Sequence, residues 1–186
     1  MAAARRREIE VKFKIVNIQL LRRRLRAEGF RLKTRSTHET NTLYDLPGSP
    51  LRKSGALLRV RSHGTKWTVT FKGKSRIGRH KSRLELETQV ADGLALAEIL
   101  QGSGFQPTFF YEKRRSEWSD GVGLVMVDQT PIGDFGEIEG PGRWIDRVAK
   151  KLGLTSADYI TSSYAELFSQ WKRRTGSKAS GMRFGR

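Results

Sequence analysis

The chain has no cysteine among its 186 residues. That excludes a disulfide framework, a thiol nucleophile, a zinc ribbon and a thioredoxin-type redox pair together, and it fits a reducing compartment. Long apolar runs are missing too: the strongest, residues 124–127, falls far short of the roughly 20 residues that cross a bilayer, so no membrane segment is expected. Nor is a secretion signal expected, because Glu8 and Glu10 stand where an apolar stretch should follow the bases at 5–7. The chain is expected to start near Met1 and to be cytoplasmic. Acid is the scarcer charge. The 36 Lys and Arg against 19 Asp and Glu leave a formal +17, which asks for an anionic partner such as a phosphate ester, a nucleic acid or an acidic lipid.

Length allows one compact domain rather than two. Residues 173–186 are rich in Gly, Ser, Lys and Arg and have neither an acid nor a periodic apolar face. They read as a flexible, solvated arm behind a single domain at 1–172.

What is present is alternation. In Glu8-Ile9-Glu10-Val11-Lys12-Phe13-Lys14-Ile15, apolar and charged residues alternate without a break, the period of a strand with two unlike faces. The pattern returns at Leu58-Arg59-Val60-Arg61, at Lys66-Trp67-Thr68-Val69-Thr70-Phe71-Lys72 and at Arg83-Leu84-Glu85-Leu86-Glu87. It is looser through 111–118 and 135–139. Four helices are expected between and after these segments. Asn17 caps one with Ile18, Leu21 and Leu25 inward and Gly29 past its end. Asp92 caps a second, carrying Leu94, Leu96, Ile99 and Leu100 and ending at Gly102. A third holds Trp144, Val148 and Leu152 before Gly153, and a fourth holds Tyr164, Leu167, Phe168 and Trp171.

A sheet with one wet face also alternates. Here, however, the charged face repeatedly sets like charges two residues apart: Glu8/Glu10, Arg59/Arg61, Glu85/Glu87, Lys113/Arg115 and Glu137/Glu139. Such pairs are costly unless an opposite charge compensates them. Closing the sheet into a barrel would gather this face into a lumen and turn residues such as Val11, Phe13, Trp67 and Ile138 outward under the helices. A lumen with both carboxylates and bases suits a polyanion carried with a divalent metal.

These residues resemble the CYTH proteins of the triphosphate tunnel metalloenzyme superfamily. Glu8-x-Glu10-x-Lys12 is similar to the family's signature strand, and Glu39-Thr40-Asn41-Thr42-Leu43-Tyr44-Asp45 to its second. Leu57-Leu58-Arg59-Val60-Arg61 is similar to its basic strand, and Thr68-Val69-Thr70-Phe71-Lys72-Gly73 to its lysine strand. Arg83-Leu84-Glu85-Leu86-Glu87, Lys113-Arg114-Arg115, Val127-Asp128 and Gly133-x-Phe135-x-Glu137-Ile138-Glu139 follow in family order. Ser163-Tyr164-Ala165-Glu166-Leu167 resembles its terminal helix.

The resemblance implies an α+β fold dominated by antiparallel β: a closed eight-stranded tunnel-like barrel with a charged lumen and helices packed outside. It implies that Lys12, Arg59, Arg61, Lys72, Lys113 and Arg115 grip phosphates, with Lys66 a lesser candidate on the same parity. Glu8, Glu10, Glu137 and Glu139 would hold Mg²⁺ or Mn²⁺, with Glu85, Glu87 and Asp128 as further acidic partners. Glu8, Glu10, Lys12 and Glu139 would carry catalysis. The partner is then a triphosphate-containing small molecule, and the reaction is hydrolysis by water in line with the terminal phosphorus. Class IV adenylate cyclisation of ATP is the alternative, and a non-catalytic polyphosphate- or RNA-binding module is a second. The carboxylate pairs argue for metal and against simple binding; nucleic acid would be reached only through the basic termini.

Other signals fall away. Gly73-Lys74-Ser75 lacks the first glycine of a P-loop, since Thr68 stands there. Asp128, Gly133 and Glu139 have calcium-loop spacing, but Thr130 and Ile132 occupy two ligand places. His38, His63 and His80 have no metal-ligand spacing and read as loop or surface residues. The basic stretch 73–82 reads first as a mobile, solvated turn, and secondly as a funnel that draws anions to the tunnel mouth.

Overall fold

The computed structural model describes residues 4–185, without the side chains of 4–6 and 77. The expected start at Met1, the last tail base Arg186 and the side chains of Arg5 and Arg6 lie outside the described residues. In chain order the elements are β1 (Ala4–Lys14), α1 (Ile18–Ala27), β2 (Arg31–Asp45), α2 (Pro50–Ser54), β3 (Leu57–His63), β4 (Lys66–Lys72), β5 (Arg76–Ile77) and β6 (Lys81–Val90). Then follow α3 (Gly93–Gly102), β7 (Gln106–Ser119), β8 (Leu124–Thr130), β9 (Gly133–Glu139), α4 (Gly142–Lys151), a 3-10 turn (Ser156–Asp158) and α5 (Tyr164–Thr175).

The strands pair antiparallel in the order β1-β9-β8-β7-β2-β3-β4-β6, and β6 returns to β1 to close an eight-stranded barrel. Two-residue β5 folds back on β6 outside the ring. Closure pairs each ring strand on both sides over at least part of its length, which a sheet with so charged a face needs in order to have an inside.

The barrel is inverted relative to an ordinary sandwich. Its outer face carries the main hydrophobic core, where Val11, Phe13, Trp118, Val125, Val127 and Ile138 meet α1 through Leu21 and Leu25 and α4 through Trp144, Ile145, Val148 and Leu152. Full burial of such side chains contributes about 1.5–3 kcal/mol each. Gly136 of β9 permits this contact, since a Cβ there would fall 2.1 Å from the Phe13 ring.

The helix starts follow the capping residues. Asn17 Oδ1 accepts from the Leu20 amide at 2.9 Å, and Asp92 Oδ1 accepts from the Leu94 and Ala95 amides at 2.8 and 3.0 Å. Ser163 and Glu166 form a reciprocal capping box on α5. Gly29 takes φ +82°, as an α1 terminator should.

Three expectations need correction. Residues 173–185 are not a solvated arm: 173–175 complete α5, and Met182 is buried and hydrogen-bonds the Phe110 carbonyl and the Glu112 amide on the part of β7 that β8 leaves unpaired. Composition concealed this because a single methionine supplies the anchor. In α3, Leu94 and Ile99 face outward at 67% and 63% exposure, since the helix approaches the barrel through Gly93, flat against the Trp67 ring. The stretch 73–82 is tied down, with β5 paired to β6 and with Arg79 and His80 meeting Asp146 of α4 at 2.9 and 2.8 Å.

Candidate active site

The period-two face of the strands encloses a cavity of about 900 Å³. Around it stand Glu8, Glu10 and Lys12 of β1, Arg59 and Arg61 of β3, Lys72 of β4, Glu85 and Glu87 of β6, Lys113 and Arg115 of β7, and Glu137 and Glu139 of β9. Asp128 of β8 lies one layer behind, fully buried against Lys113 and Arg115. Lys66 is exposed at the start of β4 and takes no part.

The lumen is an ordered lattice of opposite charges. On one side Glu8 accepts from Lys72 Nζ at 2.6 Å and from Arg83 Nε at 2.9 Å, and Lys72 Nζ also lies 3.3 Å from Glu85. Arg83 and Lys81 stand 3.7 and 3.8 Å from Glu10. At the centre Glu137 is held between Lys12 and Arg115. Arg115 also grips Asp128 with two bonds of 2.6 Å, while Lys113 reaches the same carboxylate at 3.1 Å. On the third side Glu39 pairs with Lys113 at 3.3 Å and Arg61 at 3.4 Å. Arg59 donates to Thr70, which donates to Glu87.

Burial by itself would raise these carboxyls, but the bases outweigh it. Lys72 and Arg83 hold Glu8 well below the usual carboxylate range, Lys12 and Arg115 do so for Glu137, and Arg115 and Lys113 lower Asp128. Lys72 moves the other way: burial and then the Arg59 guanidinium push its ammonium below the ordinary lysine value. Lys81 is lowered by burial and by Arg83. Positive charge is therefore crowded beside Glu8, and an incoming anion would relieve it.

Tyr164, the first residue of α5, enters this lattice from the end of the barrel. Its hydroxyl donates to Asp128 at 2.6 Å, and the ammoniums of Lys12 and Lys113 lie 4.2 and 5.1 Å from its ring centroid. Burial, followed by Asp128 and Glu137, raises its hydroxyl well above the usual tyrosine value. Behind it an aromatic cluster of Phe109, Tyr111, Phe135 and Phe168 packs against α5.

Carboxylate oxygens on neighbouring strands are the donor type that Mg²⁺ and Mn²⁺ take. The β1–β9 register sets Glu10 directly across from Glu139, two like charges that a cation would reconcile. Among the described residues no three acidic or histidine side chains converge at ligand spacing, because bases hold the carboxylates. The donors fit a divalent ion in kind, and the ion pairs that hold Glu8 and Glu137 would have to open for them to converge on one.

The sequence reading missed Glu39, Asn41, Lys81, Arg83 and Tyr111. Glu39 and Asn41 are fully buried, and Asn41 links Glu39 to Arg61 at 2.9 and 3.2 Å. Their signal was available in the parity of Glu39-Thr40-Asn41-Thr42-Leu43. Lys81 and Arg83 continue the parity of Glu85 backwards; taking 73–82 as a loop hid Lys81, whereas Arg83 stood in the 83–87 strand without being read as a site residue. Tyr111 breaks an otherwise charged face, so alternation of charge does not mark it.

Comparison with known proteins agrees with this geometry. The CYTH domain profile matches residues 6–164. A Methanocaldococcus jannaschii protein, provisionally named an adenylate cyclase, is 25% identical over 171 residues, covering 86% of this chain and 97% of that one. The PH1012 protein of Pyrococcus horikoshii is 28% identical with a TM-score of 0.73, covering 86% of this chain and 98% of its own. A Hippeastrum protein whose structure is described as revealing a dominant triphosphatase activity shares the fold at 19% identity, with a TM-score of 0.65 over 88% of this chain and 95% of its own.

Proposed function

The chain belongs to the CYTH family, and from that premise we propose that it is a divalent-metal-dependent hydrolase of a triphosphate bound in the barrel lumen. The observation that carries this reading is the convergence of buried or half-buried bases from five strands, β1, β3, β4, β6 and β7, on one cavity that carboxylates share.

In this reading Lys12, Arg59, Arg61, Lys72, Lys113 and Arg115 exchange their carboxylate partners for phosphate oxygens. Each is already held in place by its strand and its ion pair, so the grip needs little reorganisation when charge develops on the transferring phosphoryl group. Glu8, Glu10, Glu137 and Glu139 would hold Mg²⁺ or Mn²⁺, which when bound neutralises phosphate charge and lowers the pKa of a coordinated water. Glu10 is the carboxylate assigned to orient the attacking water and accept its proton. Asp128 keeps Lys113 and Arg115 aimed inward. The substrate expected is a triphosphate-containing small molecule.

Hydrolysis is favoured over cyclisation because it needs only the phosphate-gripping bases and the carboxylates that line the cavity, and no nucleobase site.

The test is to supply inorganic triphosphate, ATP and thiamine triphosphate separately, with Mg²⁺ or Mn²⁺, and to identify the products. Phosphate release that stops on chelation is the expected result. Cyclic AMP and pyrophosphate from ATP would overturn hydrolysis in favour of cyclisation. Tight triphosphate binding without turnover under every metal would overturn the enzyme reading.

A further inference from the structure

The lumen does not account for the charge of this protein. Among the residues lining the cavity, with Glu39 and Asp128 behind them, eleven Lys and Arg face eleven Asp and Glu, so the formal +17 sits entirely elsewhere. On the outer surface about half of it, ten bases against two acids, gathers on three adjoining elements. Arg23, Arg24 and Arg26 of α1, Arg31, Lys33 and Arg35 at the start of β2, and Arg143, Arg147, Lys150 and Lys151 of α4 are all exposed.

These elements adjoin. Arg24 Nη1 donates to the Leu152 carbonyl at 2.9 Å, and Lys151 pairs with Glu28 at 2.7 Å, which joins α1 to α4. The Arg26 guanidinium lies 5.2 Å from the Trp118 ring centroid, and Trp118 is the cross-strand neighbour of Leu32, which joins α1 to β2. The acids at the end of α1 and on α4 are engaged, Glu28 by Lys151 and Asp146 by Arg79 and His80, and the start of β2 at 31–36 carries none.

Helix dipoles explain only part of this. Bases in the last turns of α1 and α4 are favourable there, but Arg143 occupies the first turn of α4, where a cation opposes the dipole, and no acid accompanies it. Arg22/Arg26, Arg143/Arg147 and Arg147/Lys151 repeat like charges four residues apart, which repel in an isolated helix. Arg31, Lys33 and Arg35 lie on a strand and have no dipole to answer.

We propose that this face binds the phosphodiester backbone of a nucleic acid, separately from the triphosphate chemistry inside the barrel. Arginine predominates, and its planar fork suits bidentate contact with phosphate. A membrane is the less favoured polyanion, because helices that lie on bilayers insert their apolar side. Here α1 and α4 spend that side on the barrel, through Leu21, Leu25, Trp144, Ile145, Val148 and Leu152. Binding would be independent of base sequence, steered by charge and sensitive to salt.

The test uses a fluorescent single-stranded RNA 20-mer with a 5′-hydroxyl, which offers the lumen no triphosphate. Fluorescence anisotropy is read over a salt series for the full chain and for a variant carrying Arg23→Glu, Lys33→Glu, Arg147→Glu and Lys150→Glu. The expected result is salt-dependent binding that weakens at least tenfold in the variant, with the slope of log K against log salt shallower by roughly 3. Circular dichroism melting and triphosphate turnover should be unchanged. If the variant melts early, the charge-neutral set with Gln at the same four positions must show the same loss of binding.

Three results would overturn the proposal. The first is no binding at low salt. The second is binding that inorganic triphosphate competes away or that Arg59→Ala abolishes, which would place the RNA at the lumen. The third is tighter association with phosphatidylserine vesicles than with RNA. Because the readout is binding of an oligonucleotide without a triphosphate, it stands or falls apart from the hydrolase reading.

Discussion

Glu137 shows how much a single lumenal residue has to reconcile. It is buried between Lys12 and Arg115, and removing its charge leaves two buried cations short of a partner. Glu137→Gln should therefore destabilise the substrate-free protein by about 3–5 kcal/mol, read by denaturant unfolding, and should lower turnover on the order of 100-fold. Added triphosphate should restore part of the lost stability, since its oxygens meet the same two bases. Tyr164→Phe separates two roles. The ring stays under Lys12 while the hydroxyl bonded to Asp128 is lost, at a cost of about 1–3 kcal/mol for the buried acceptor left short. Steady-state kinetics should show a raised KM with a smaller change in kcat if the hydroxyl acts by aiming Lys113 and Arg115. Titration follows from the same lattice. Glu8, Glu39, Glu87, Asp128 and Glu137 are all held below their ordinary values. The stability they supply is complete above about pH 4.5 and is lost as pH falls through their folded values. Lys72 and Lys81, lowered in the fold, carry the opposite sign: their ammoniums cost stability at neutral pH, and the cost fades as pH rises. Thermal melts from pH 9 to pH 3 should hold steady or decline slightly to about pH 5 and then drop steeply.

Among elements, the ones that answer to a local rule were legible and the ones that answer to a distant partner were not. Strands β1, β3, β4 and β6 declare themselves by strict alternation because one face meets charge and the other does not. β8 does not, since Met126 and Val125 are both apolar and both buried, one toward the cavity and one toward the outer core. The tail segment at 181–183 is a β addition whose template is the stretch of β7 that β8 leaves open, and nothing in its own sequence names that template. Its weight can be measured. Met182 is 1% exposed in a cluster with Tyr111, Phe135, Tyr164 and Phe168, so Met182→Ala should cost about 2–5 kcal/mol in chemical denaturation. A change below 0.5 kcal/mol would mean that the tail is not docked in solution. Likewise Gly136→Ala drives a methyl into the Phe13 ring and should lower the melting temperature, whereas Gly121→Ala, with open space around it but a positive φ, should cost about 1–2 kcal/mol from the backbone alone.

For the molecule as a whole, the balance of charge inside and its excess outside divide the proposed ligands between two places by chemistry alone. A ligand that binds only the folded tunnel stabilises it by about 2.7 kcal/mol at a hundredfold excess over its Kd, so inorganic triphosphate should raise the melting temperature, and Mg²⁺ with triphosphate should raise it further than either alone. Equal effects with and without the metal would count against a shared metal–triphosphate site. Sequence by itself determined the strand faces, the helix caps at Asn17, Asp92 and Ser163, the like-charge pairs that demand a counter-charge, and the membership of most lumenal positions. Each of these is set by neighbours within a few residues. Only the tertiary structure decided which acid meets which base, that Glu39, Lys81, Arg83 and Tyr164 join the lattice, that the tail docks on β7, and that about half of the surplus charge collects over α1, the start of β2 and α4. Those outcomes depend on barrel register and closure, which bring together residues more than a hundred positions apart, such as Lys12 and Glu137, and local periodicity carries no record of that distance.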